Sequence, residues 1–251
     1  MTANYAKLSS LSLFYPAYNE AGNIAESIQQ ALTILPAIAE KFEIIVVDDG
    51  SSDATFQIAQ RFSLENPEVR VVTQPNTGYG GALKRGFAEA THDWVFFTDS
   101  DLQFDLSQLM TFLPHTNNND LVFGYRLSRA EGWKRLFLAK LLKIWAVFLF
   151  GLSPTVKDID CAFKLIRLSI IRDIEPLYSD GAMISTELLV KSLRQHYQYA
   201  QVGVDHYQRF SGEATGSKLK VVSQALFDSF ALKLEFMKSS TRRTAGYFLH
   251  S

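Results

Sequence analysis

Asp99 and Asp101 stand one residue apart where an apolar run ends, in the stretch WVFFTDSDLQ from Trp94 to Gln103. In an extended segment residues i and i+2 project to the same side, so both carboxylates can meet at one point. Two anions that close repel unless a cation joins them. A hard divalent ion with oxygen ligands, Mg²⁺ or Mn²⁺, resolves the repulsion and keeps positions open for phosphate oxygens. Gln103, two residues on, can add an amide oxygen. The same residues also suit a polar turn closing a strand, where Asp and Ser are common. Asp105 reads differently: with Gln108 three residues later it has the spacing of a capping box for a helix starting at Leu106.

Other polar constellations stand at similar places. Asp48 and Asp49 in DDGSSD point to opposite sides if the strand stays extended, so one of them can face a ligand, while Ser52 or Asp53 can cap the helix that follows. The loop Thr77-Gly78-Tyr79-Gly80-Gly81 fails the spacing of a phosphate-cradling GxxxxGK[ST] and reads as a helix-packing or close-approach site. Basic residues collect later: Arg126 and Arg129, Lys164 and Arg167, then Arg209 and Lys218 within HYQRFSGEATGSK. That Gly/Ser-rich segment could close over a diphosphate. Glu187, in STELLVKSL, reads as an exposed helix acid paired with Lys191 at i+4, with a catalytic base as the alternative.

These residues need a scaffold. Short β-rich runs alternate with helical patterns: strands at Leu11 to Tyr15, Glu43 to Val47, Val69 to Thr73, Trp94 to Thr98 and Leu121 to Tyr125, and helices near Asn23 to Ile38, Asp53 to Phe62 and Gly80 to Ala90. Runs such as EIIVV and WVFF are apolar at successive positions, so both sheet faces should be covered, as in a mostly parallel sheet between helices. In such sheets ligands lie beyond the carboxyl ends of the strands. The segments after the first four strands, Pro16 to Glu20, Asp48 to Asp53, Gln74 to Gly78 and Asp99 to Asp101, should therefore converge. A strand near Cys161 to Ile166, a helix from Ser185 to His196, a strand from Ala200 to Val204 and a last amphipathic helix after Ser217 complete the reading. No linker divides the 251 residues, so the expectation is one α/β domain, Rossmann-like, with a helical C-terminal extension.

Composition narrows the partners. The net charge of −1 offers no field for nucleic acid. Cys161 is the only cysteine, which excludes an internal disulfide and reads as a small buried hydrophobe. Met1 to Ser10 lack the apolar core of a secretory signal, so the expectation is cytoplasmic. The segment Leu136 to Leu152 carries Lys140 and Lys143; its uninterrupted part from Ile144 reaches about 14 Å as a helix, against about 30 Å of bilayer hydrocarbon. It reads either as a core helix or as an amphipathic helix, 133–152, lying in a membrane interface.

Taken together, PAYNE (16–20), VVDDGSSDAT (46–55), GYGGALKRGF (78–87) and FFTDSDLQ (96–103) occur in an order that resembles glycosyltransferase family 2, a GT-A fold family, and within it the dolichyl or polyprenyl phosphate mannosyltransferase branch. The resemblance implies a nucleotide-sugar-binding half, 11–125, and an acceptor-side half, 126–251. It implies that Pro16, Tyr18, Glu20 and Asp49 hold the nucleoside of a GDP- or UDP-sugar, and that Asp99, Asp101 and Gln103 bind its Mg²⁺ or Mn²⁺. It further implies that Arg126, KDIDCAFKLI (157–166), Arg209 and Lys218 contact phosphates; Ala162 stands where that branch has glycine. The reaction implied is inverting transfer of a hexose to a polyprenyl phosphate at the cytosolic face of a membrane, and recruitment by a membrane protein is compatible with it. An acceptor phosphate is already ionised and needs no general base. Transfer to a glycolipid or soluble sugar, and a catalytically silent nucleotide-sugar-binding scaffold, stand as alternatives.

Overall fold

The computed structural model describes residues 6–127, 141, 144–209 and 227–236. Its first half is β1 (Leu8–Ala17), α1 (Ile24–Ile38), β2 (Ala39–Asp48), α2 (Thr55–Glu65), β3 (Val69–Thr73), α3 (Gly78–Glu89) and β4 (Trp94–Thr98). A 3-10 helix (Leu106–His115) and β5 (Leu121–Arg126) follow. Then come a helix at 144–150 (α4), β6 (Phe163–Arg167), α5 (Leu168–Ile174), α6 (Ile184–Arg194), β7 (Tyr199–Val204) and a helix at 227–236 (α7).

The strands form one sheet in the order β3-β2-β1-β4-β6-β5-β7. Pairings are parallel except where β6 meets β4 and β5. Both faces are covered, as the unbroken apolar strands require. Successive residues of β1 show why: Leu11, Leu13 and Tyr15 pack beneath α1, α2 and the 3-10 helix, while Phe14 joins the opposite core with α3, α5 and α6. On that side Phe14 stacks on Phe97 at 5.4 Å, and Phe87 meets both edge-on at 5.2 and 5.5 Å. A Cβ on Gly86 would lie 2.4 Å from the Phe14 ring, so this glycine lets α3 sit close to the sheet.

Several expectations change. The antiparallel direction of β6 was not anticipated, because FKLI has no turn signal that fixes orientation, and α5 follows it without a break. Asp105 does cap the next helix, its carboxylate accepting from Ser107 N at 2.9 Å. Gln108, however, sends its amide to Asp205 at 2.6 Å, so no reciprocal capping box forms and the segment winds as 3-10 helix. Within Leu136 to Leu152, the parts 136–140 and 142–143 lie outside the described residues, as does the start of the expected amphipathic helix at 133–135. In the rest Ala146, Phe150 and Leu152 are core, as a core helix requires, whereas Ile144 and Phe148 are exposed.

Candidate active site

Every strand but β6 runs the same way, so the carboxyl ends of β1 to β5 and β7 open on one edge, where the turn entering β6 also lies. The four expected segments converge there and are tied together. Asn19 N donates to Ser51 Oγ at 3.0 Å and Asn19 Oδ1 accepts from Ser52 N at 2.8 Å. Ser100 Oγ donates to the Pro16 carbonyl at 3.2 Å. Asp49 accepts from Gln74 Nε2 at 2.7 Å, Thr77 N at 2.9 Å and Gly78 N at 3.0 Å, so its carboxylate organises the third loop. Asp48 accepts from Ser51 N and Thr73 Oγ1. Tyr18, by contrast, is 49% exposed at the rim.

Asp101 is buried and Asp99 lies beside it. Asp101 Oδ1 accepts from Gln103 N at 3.1 Å, and Oδ2 accepts from Arg209 at 2.7 Å. The other guanidinium nitrogen donates to Glu20 at 3.3 Å. Burial raises the Glu20 carboxyl above its ordinary range, and its hydrogen bond from Asn23 and the Arg209 charge pull the other way. Gln103 makes two hydrogen bonds to the segment carrying Arg209: its side-chain amide donates to the Tyr207 carbonyl at 2.9 Å, and Tyr207 N donates to the Gln103 backbone carbonyl at 2.8 Å. His206 packs edge-on against Phe104 at 5.1 Å. Lys218 lies outside the described residues.

The acceptor-side residues are locked more tightly than the sequence suggested. Arg126 grips Asp158 with two hydrogen bonds, at 2.7 and 3.0 Å, and its side chain is 11% exposed. Lys164 is fully buried between Phe97 and Phe123, with its ammonium on the Cys161 carbonyl and 3.4 Å from Ser185 Oγ. Burial pushes that ammonium's pKa down, and it pushes the Cys161 thiol up to about 12. Tyr79, in the first turn of α3, lies near Asp99: burial, and then the Asp99 charge, hold its phenol well above its ordinary pKa. Tyr79 was not singled out as a site residue, and Lys164 was expected as one of the later basic residues and as part of the phosphate-contacting segment 157–166, not as a buried ammonium. A charged residue inside the apolar strand FKLI was the signal for that burial.

Glu187 corrects the sequence reading outright. It is 0% exposed, and its carboxylate accepts from Tyr178 N at 2.9 Å and Ser179 N at 2.8 Å. The expected Lys191 partner is there at 2.7 Å. The loop so fixed abuts α3: Gly80 N donates to the Asp180 carbonyl at 2.7 Å, and a Cβ on Gly80 would meet Ser179 O at 2.5 Å. The glycine-rich loop is thus a close-approach site, as its spacing suggested.

A paired acidic cluster at the strand ends of such a sheet has relatives. The family model described as glycosyl transferase family 2 matches residues 12–175. The chain belongs to glycosyltransferase family 2. Among similar proteins is a dolichyl-phosphate beta-glucosyltransferase of Saccharomyces cerevisiae, 27% identical over 242 residues that cover 86% of this chain and 71% of that one. Another is a dodecaprenyl-phosphate galacturonate synthase of Rhizobium johnstonii, 31% identical over 171 residues, 66% of this chain and 50% of that one, so the chain spans half the latter's length. In structure it resembles glucosyl-3-phosphoglycerate synthase of Mycobacterium tuberculosis, solved with Mn²⁺, UDP and phosphoglyceric acid; the TM-score is 0.70 at 20% identity, covering 90% of this chain and 78% of that one. The fold is GT-A.

The family 2 chain has a donor set that fits a hard divalent cation. Burial, and then the charge of Asp101, raise the Asp99 pKa to about 7, and Asp101 already takes a guanidinium as counter-cation. Among the described residues no cluster of three His, Cys, Asp or Glu that could hold a metal forms, so the fit rests on these two carboxylates, and a hard cation there would need oxygen ligands from water or phosphate. Because Asp99 is raised, the stability linked to its protonation is present at acid pH and is lost as pH rises toward 7. A divalent cation bound at Asp99 would compete with this proton. Mn²⁺ affinity of the free protein should fall about tenfold per pH unit below about pH 7 and level off above it, read by the EPR signal of unbound Mn²⁺.

Proposed function

We propose that the chain transfers a hexose from a nucleotide sugar to a polyprenyl phosphate, inverting the anomeric centre, with Mg²⁺ or Mn²⁺ as cofactor. The convergence of Asp99, Asp101 and Arg209 on the loops of β1 and β2 carries this reading, and the polyprenyl- and dolichyl-phosphate names of the relatives support the acceptor. Pro16, Tyr18, Glu20 and Asp49 border the nucleoside end. Asp99 and Asp101, with Gln103 beside them, hold the metal, which when bound offsets charge developing on the diphosphate leaving group. Arg209 and Lys218 meet phosphate oxygens. Arg126, clamped by Asp158, sets the acceptor-side wall and offers its charge from there.

The structural role of Glu187 agrees with a phosphate acceptor. Glu187 has its carboxylate consumed by two backbone amides and Lys191, and a phosphate nucleophile needs no deprotonation. A lipid acceptor also accounts for an apolar surface. Ile144 and Phe148 on α4 and Phe227, Phe230 and Leu234 on α7 are exposed, and Trp145 joins the helices, packing on Phe230 at 5.3 Å and donating to Ser229 Oγ at 3.0 Å. No helix among the described residues is long and apolar enough to cross a membrane. Peripheral contact at the cytosolic membrane face, with or without a membrane-protein partner, completes the proposal.

The test incubates purified protein with labelled UDP- and GDP-sugars, Mn²⁺ and short-chain polyprenyl phosphate, and follows label into the organic phase. Label should transfer with one donor class and stop on adding EDTA. Nucleotide release with no labelled lipid would contradict the acceptor.

A further inference from the structure

Arg209 reaches two carboxylates that the family reading assigns to different partners. One nitrogen lies 2.7 Å from Asp101, whose side chain is 3% exposed, and the other 3.3 Å from Glu20, whose side chain is 14% exposed. The guanidinium is itself only 25% exposed, and its buried Nε–H has no acceptor among the described residues. The Gln103–Tyr207 pair of hydrogen bonds keeps the backbone of this segment at the site, independently of the two ion pairs made by the arginine side chain. Asp101 Oδ2 is thus shared between two claimants, the arginine and a divalent cation, and a carboxylate oxygen satisfied by one is a poorer ligand for the other. Glu20 is held for the exchange: Asn23 donates to it at 2.6 Å, and its backbone N donates to Thr55 at 2.8 Å.

We propose that Glu20 is a positioning residue for Arg209: it retains the guanidinium beside the reacting phosphates when a metal takes Asp101, so that the two cations share the site instead of excluding each other. This rests on the reading of Asp101 as a metal ligand. It gives Glu20 a task beyond bordering the nucleoside and implies an order, with the metal and donor seated before Arg209 turns to phosphate. An arginine suits the task because its fork serves two oxyanions at once, which a lysine does not.

The experiment measures Mn²⁺ binding alone, without nucleotide, by EPR on the full chain and on R209M, E20Q and the double variant, with melting curves to show that each folds. R209M removes the competitor and should bind Mn²⁺ about 3- to 10-fold more tightly, the size expected of a partly exposed ion pair, while its kcat falls. E20Q leaves Arg209 to Asp101 alone and should weaken Mn²⁺ binding about 3-fold. In the R209M background E20Q should change it by less than about twofold, since Glu20 acts through Arg209. Equal effects of E20Q in both backgrounds would show that Glu20 acts by its own charge and overturn the proposal. So would an R209M variant that binds Mn²⁺ no better than the parent. Absence of Mn²⁺ binding in all four proteins would overturn the metal reading of Asp101 as well, which separates the two failures.

Discussion

Asp101→Ala should lower hexose transfer by about two to three orders of magnitude, the cost of removing a group that stabilises charge developing in the transition state. Three losses coincide there. The metal loses a ligand, Arg209 loses the shorter of its two ion pairs, and the Asp101 Oδ1 acceptor of Gln103 N is gone. Excess Mn²⁺ should recover little of the rate, because Asp99 is then the single carboxylate left at the strand end, and burial still raises its pKa. Removing the neighbouring charge lets Asp99 ionise more readily, yet one carboxylate does not replace two. Asp101→Asn isolates the charge: it keeps an oxygen for Gln103 N, so the 101–103 turn persists while metal affinity and turnover still fall. Melting temperature should fall less in either variant than in Glu187→Ala, because Arg209, 25% exposed, keeps Glu20 as a partner when Asp101 loses its charge. Steady-state kinetics at varied Mn²⁺ check this; a variant with near-normal kcat would remove Asp101 from the chemistry.

The second large effect is on stability. Glu187→Ala should destabilise the fold by about 3–5 kcal/mol, because it leaves two backbone amides at the buried end of α6 without their acceptor and removes the anion beside Lys191. The amides stranded are the N–H groups of Tyr178 and Ser179, whereas Lys191, 2.7 Å from Glu187, keeps the Pro176 carbonyl. For a chain of this length the loss corresponds to a fall in melting temperature of about 6–20 °C. It should also travel. The loop that Glu187 fixes holds the start of α3 through Asp180 and Gly80, and Tyr79 in that first turn lies near Asp99. Metal affinity should therefore drop together with stability. Glu187→Gln keeps one oxygen for the amides and should lose less than half as much. If Glu187 were instead a general base, the glutamine variant would keep its melting temperature and lose its turnover, so calorimetry beside kinetics decides between the two roles.

The contrast between Asp101 and Glu187 shows what a sequence exposes. Two carboxylates spaced i, i+2 at the end of an apolar strand announce themselves, since strand geometry alone brings them together. The ends of β3 and β4, Val69–Thr73 and Trp94–Thr98, were legible to the residue because apolar runs there stop at polar turn residues. Glu187 was misread because a helix acid with a lysine at i+4 has the same local pattern whether solvent or a folded loop lies above it. Lys164 and β6 were hard to read for a related reason: direction within a sheet, and the burial of a single ammonium, are decided by contacts distant in sequence. Arg209 meets Glu20 across 189 positions, and only the common orientation of the strand ends brings them to one edge.

The acceptor is the claim on which the rest depends, and one competition tests it most directly. Labelled donor and Mn²⁺ are supplied to the protein with polyprenyl phosphate in liposomes and 3-phosphoglycerate in solution, together in one vessel, and label is counted in each product. The account predicts that label enters the lipid, that EDTA and Asp101→Ala abolish it, and that phosphoglycerate neither competes nor is labelled. Label in the soluble phosphate with none in the lipid would contradict it.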